Sequence, residues 1–213
     1  MELAKLILEY VKALAWPITS IALGLVFRKS LVAILARLEK ASLPGGVSLD
    51  FEKQIKQVQN LSQKLLETPV APPIQTGVHI SPNDANKRMV ALSLEPMTSG
   101  LELEYFRNLA TIDTTLALAA LRIELESLFK NMIARTYGED PSQIRKNVSA
   151  ISMVKALAEN RLIPSDEADL ANKILRVCNR AVHGNKVSED DARIVIDSSE
   201  YIFDRYRAWL GTL

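Results

Sequence analysis

The stretch Ile174 to Asn185, ILRVCNRAVHGN, holds the one histidine of this chain that stands among other side chains able to do chemistry. At 3.6 residues per turn, Arg176, Asn179, Arg180 and His183 fall at i, i+3, i+4 and i+7 and share one helix face. An imidazole ordinarily titrates near neutral pH and can take a proton from a nucleophile. A guanidinium beside it can hold an anion through paired hydrogen bonds. Ile174, Leu175, Val177, Ala181 and Val182 supply the apolar positions that dock such a helix, and Gly184 is placed to stop it. The alternative is structural: Asn179 and His183 hydrogen-bond helix ends, while Arg176 pairs with an acid such as Glu124 or Glu126.

Composition narrows the remaining chemistry. The 213 residues are 48% apolar and 24% charged, as in a folded protein, and the net charge of +1 gives no global bias toward nucleic acid. Cys178 is the single cysteine and cannot form an internal disulfide. With only His79 and His183 and no cysteine cluster, no zinc site is expected, and neither another metal nor a cofactor is called for. No glycine-rich phosphate loop is present, which excludes a nucleotide-hydrolysing engine. His79 lies in a proline-rich stretch and reads as solvated.

The elements that must position the polar row follow from periodicity. Ser81-Pro82 is a helix start, Glu95-Pro96 to Gly100 a break, and Leu101–Ala110 a short helix. Asp113 caps a long helix in which Leu118, Leu121, Leu125, Leu128 and Met132 form one apolar stripe, ended at Tyr137-Gly138. Ser149–Glu159 makes a helix on Ile151, Val154 and Leu157. Pro164 stops it, and Ser165 caps the helix that carries the polar row. The last helix opens at Ser188-Glu189-Asp190-Asp191 with Val195, Ile202, Tyr206 and Trp209 on one side. No later segment alternates as a strand, so an all-α domain of four or five helices in antiparallel array is expected over 84–213.

Ahead of it, four prolines in 68–83 mark a linker. Within 30–67, Ser30–Ala41 reads as a juxtamembrane amphipathic helix, and Val47, Leu49 and Phe51 alternate as a short extended piece. Phe51, Ile55, Val58, Leu61 and Leu65 then form a coiled-coil-like helix that pairs with a second copy or packs on its own domain. Residues 6–29, centred on the uncharged run Ala13–Phe27, have the length of a transmembrane helix, about 20 residues; a buried core helix is the alternative. Arg28, Lys29, Arg37 and Lys40 follow the run and Lys5 and Lys12 precede it, which places the C-terminal body in the cytoplasm.

The runs Leu116–Met132 and Leu162–Asp197 resemble the HEPN superfamily of helical domains, most closely a membrane-anchored bacterial branch with the pattern N-x-A-V-H-G, here Asn179 to Gly184. The resemblance covers the last 115 or so residues. Its signature is an arginine, four to six residues, then a histidine; here six residues separate Arg176 from His183. Catalytic members usually carry a polar residue directly after the arginine, whereas this chain has Val177 there and Asn179 two positions later. The resemblance implies a metal-independent ribonuclease of a stress or defence system, tethered to the bacterial inner membrane by a single span and working as a homodimer. His183 would be the base toward a ribose 2′-hydroxyl, Arg176 the anchor for the phosphoryl oxygens, Asn179 an orienting group and Arg180 an RNA-backbone contact. The competing expectation is a non-catalytic membrane-anchored module that binds a nucleotide or a partner protein.

Overall fold

The structure, a computed structural model, describes residues 46–67, 80–144 and 148–213. The chain divides into two units, Met1–Asp50 and Phe51–Leu213, and of the described residues only 46–50 fall in the first. The helices are α1 (Gly46–Glu67), α2 (Pro82–Ala91), α3 (Leu103–Ile112), α4 (Thr114–Tyr137), α5 (Ala150–Glu159), α6 (Ser165–Val182), α7 (Glu189–Ser198) and α8 (Glu200–Thr212), with a 3-10 turn at Pro141–Gln143. No strand occurs among the described residues, so the chain there is all-α.

Helix α4 is the axis of the second unit and packs against α3, α5, α6 and α7. The Asp113 carboxylate accepts from the N–H groups of Thr115 and Leu116, and Gly138, at φ +68°, closes the other end. Leu118, Leu121, Leu125, Leu128 and Met132 are all buried, as their spacing requires. A second, polar row on α4 holds the connection between α2 and α3 in place. Buried Asn131 accepts from the Glu95 N–H and donates to the Glu95 carbonyl and the Tyr206 hydroxyl, at 2.9 to 3.0 Å. Buried Glu124 accepts from the Ser99 N–H and hydroxyl, and Asn86 of α2 brackets Met97 with one bond to its N–H and one to its carbonyl. A non-helical segment inside a helical core must find partners for its peptide groups, and these three side chains provide them.

Four expectations need correction. Among the described residues after the linker there are seven helices, α2 to α8, rather than four or five. One cause is that the expected last helix is broken between α7 and α8: Ser199 N–H and hydroxyl both donate to the Ile196 carbonyl, and Ser62 of α1 donates to the Ser198 carbonyl. Serine hydroxyls here compete with the helical ladder. The Val47–Phe51 alternation is helical, because α1 begins at Gly46; a lone strand would leave its peptide groups unpaired, whereas a helix satisfies them internally. Pro164, not Ser165, occupies the cap position of α6: its extended ψ of 152° makes the turn, and Ser165 is already in the helix. The short helix expected over Leu101–Ala110 begins at Leu103, since Leu101 has φ +69°.

Of the two packings open to the α1 stripe, the one on its own domain is observed. Phe51, Ile55, Val58 and Leu65 join the same apolar cluster as the later helices, and Lys64 lies 3.6 Å from Asp166 of α6. The expected span at 6–29, the juxtamembrane helix and the linker as far as residue 79 lie outside the described residues. Among the described residues no helix is long and apolar enough to cross a membrane.

Candidate functional site

The polar row stands on α6, whose other side buries Leu170, Ile174, Leu175, Val177, Cys178 and Ala181. Val182, expected with them, is 38% exposed. The helix ends as Gly184 was placed to end it. His183 takes the cap position, its N–H bonded to the Asn179 carbonyl, and Gly184 follows at φ +96°. The N–H groups of Gly184 and Asn185 return to the carbonyls of Ala181 and Arg180, both at 3.1 Å, so the backbone under the imidazole is held by a closed double turn. A glycine is needed at Gly184 because a side chain is strained at that φ.

With about 100° between successive residues, Arg176 and His183 point nearly the same way, while Asn179 and Arg180 flank them on opposite sides. The surroundings follow that division. Arg176 and His183 are exposed, and neither side chain makes a hydrogen bond or ion pair among the described residues. Arg180 is half-buried, with its guanidinium 5.1 Å from the centre of the Phe51 ring. Turned so that its amide oxygen faces Arg180, Asn185 accepts from Nε and Nη2 at 3.2 and 3.3 Å. Asn179 leans the other way, into a cleft of about 180 Å³ between α4, α5 and α6 that Arg122, Glu126, Ser149, Ile151 and Leu175 also line.

The contacts of the structural alternative are not present among the described residues. Glu124 is buried against Ser99 and Glu126 faces the cleft, and neither pairs with Arg176. Burial pushes the Glu124 carboxyl upward, against the opposing pull of its Ser99 hydrogen bonds. Burial pushes the Cys178 thiol up to about 12, with Arg122 pulling the other way, so Cys178 is a neutral packing group rather than a nucleophile. No three His, Cys, Asp or Glu side chains gather among the described residues in a way that could hold a metal ion.

Arg122 was missed by the sequence reading, and Glu126 entered it only as a partner for Arg176. Their one signal is a pair of opposite charges at i, i+4 on the long helix; nothing in that pattern says that Asn179 will face them. The arrangement as a whole offers an exposed imidazole and an exposed guanidinium on one helix face, next to a cleft with a cation, a carboxylate and an amide. Comparison with protein-family models, with curated proteins and with solved structures returns no match for this chain.

Proposed function

We propose that this chain is a membrane-tethered, HEPN-like ribonuclease that cleaves RNA without a metal, with His183 as the base and Arg176 as the phosphate anchor. The observation that carries the reading is that both side chains are exposed and unengaged among the described residues, on a helix whose opposite face is fully packed. A core helix gains nothing in packing from such a pair, while an attack on phosphate needs both of them accessible. Asn179 orients the substrate from the side of the cleft. Arg180, held against Phe51 and Asn185, contributes its charge to the backbone of a bound strand rather than a mobile grip.

Seven residues of helix rise about 10 Å, too far for one Arg176 and one His183 to act on a single phosphate oxygen. A two-fold partner that sets the Arg176 of one copy opposite the His183 of the other closes that distance. It also supplies the second imidazole needed as acid for the leaving oxygen. Exposed apolar residues support such a pairing: Ile112, Leu116 and Ile123 are 82%, 52% and 63% exposed. The bond from the Thr114 hydroxyl to the Val187 carbonyl, with the cleft shared by Arg122 and Asn179, sets that part of α4 alongside the end of α6. The anchor is residues 6–29, a single span of the bacterial inner membrane with the C-terminal unit in the cytoplasm. Its support is the uncharged Ala13–Phe27 run followed by Arg28 and Lys29.

The test is incubation of the full chain, in detergent, with total RNA and a chelator, beside Arg176→Ala and His183→Ala. Cleavage by the wild type, reduced about a hundredfold or more in each variant, is the expected result. An inert wild type would leave the non-catalytic membrane-anchored module, and His183→Ala cutting at the wild-type rate would remove His183 from the chemistry.

A further inference from the structure

In the cleft between α4, α5 and α6, the half-buried side chains of Arg122, Glu126 and Asn179 converge, and none makes a hydrogen bond or ion pair among the described residues. On a helix, opposite charges at i and i+4 are close enough to pair; Arg122 and Glu126 do not. A carboxylate and a guanidinium kept partly from water and from each other leave both free for a ligand that carries donors and an anion together. Leu175 and Ile151 supply apolar walls. The volume of about 180 Å³ suits one small ring system and not a stretch of folded chain.

We propose that this cleft holds a guanine base of a nucleotide. An ionised carboxylate only accepts hydrogen bonds, so its best partner is an edge with two adjacent donors. Guanine has one, the N1–H and the N2 amino group, and no other standard RNA base does. Glu126 takes that edge, the Asn179 amide donates to the neighbouring O6, and Arg122 binds the phosphate of the same nucleotide. Leu175 and Ile151 cover the faces of the ring. The consequence that RNA is cut beside a guanine rests on the ribonuclease reading; binding of the mononucleotide does not.

The test is titration of the full chain in detergent with GMP, AMP, CMP and UMP, followed by calorimetry, with melting curves recorded for every variant. GMP should bind at least about tenfold more tightly than the other three, the lower range of what a bidentate base contact discriminates. IMP, which lacks the N2 amino group, should fall between. Glu126→Gln, which replaces one acceptor by a donor, should abolish the guanine preference with an unchanged melting temperature; Glu126→Asp serves if that variant is unstable. Arg122→Ala should erase the advantage of GMP over guanosine. Equal binding of all four nucleotides, no binding, or a guanine preference that survives Glu126→Gln would overturn the proposal. GMP binding by a protein inert toward RNA would sink the ribonuclease reading alone. RNA cleavage with no base preference and no GMP binding would sink this one alone.

Discussion

Replacing Asn131 by alanine should unlock the connection between α2 and α3 more than any surface change could. Asn131 is fully buried. Its side chain accepts from the Glu95 N–H at 2.9 Å and donates to the Glu95 carbonyl at 2.9 Å and the Tyr206 hydroxyl at 3.0 Å, with Met89 Sδ 3.9 Å away. Alanine removes these bonds and leaves two peptide groups of a non-helical segment without those partners. The Lys130–Glu95 ion pair, at 2.7 Å, holds only the side chain and cannot take their place. Each lost bond costs about 1 kcal/mol, and each group left buried without a partner costs about 1 to 3. Non-additivity and partial access to water bring the sum to about 3 to 5 kcal/mol. For a protein of this size that corresponds to a fall of about 10 °C in the melting temperature. Circular dichroism gives that number, and hydrogen exchange should show faster exchange of the Glu95 amide than in the wild type. A fall of less than about 3 °C, with Glu95 still protected, would refute the assignment of these bonds. Asn131 lies away from the cleft, so activity per folded molecule should be unaltered.

Two further outcomes follow. Burial raises the Glu124 carboxyl above its ordinary 4.5, so its contribution to stability is complete below that value and is lost as pH climbs through the raised folded value. Glu124→Gln keeps both Ser99 contacts, since the hydroxyl can reverse its role. Its melting temperature relative to wild type should therefore rise between pH 4 and pH 7, and parallel curves would refute the sign. Deleting residues 1–44 removes the proposed span and leaves α1 whole, because that helix starts at Gly46 and seats its apolar stripe on the later helices. The product should stay in the supernatant after ultracentrifugation without detergent and melt cooperatively; a fragment that pellets or melts without a transition would refute this.

Local signals carried much of the fold. Asp113, Gly138, Ser149, Ser188 and Gly184 mark helix ends where the sequence places them, because a cap acts on peptide groups within four residues of itself. The α4 stripe was equally legible, since burial of one helix face follows from its period. The same holds for Arg176 and His183, which stand where the opposite face of a packed helix must stand.

What the tertiary structure decided lies wherever a side chain chooses between distant partners. Asn179 and Arg180 are neighbours in one row, yet the first shares a cleft with Arg122 and Glu126 and the second lies over Phe51. Only the placement of α4 and α1 on either side of α6 separates them. The break at Ser199 depends on its hydroxyl turning to Ile196 while Ser62, far away in sequence, reaches the Ser198 carbonyl. The α1 stripe read equally well as a seam for a second copy, because a heptad pattern specifies an apolar surface and not its partner. Periodicity determined which faces are buried; the packing of helices remote in sequence determined which polar groups meet.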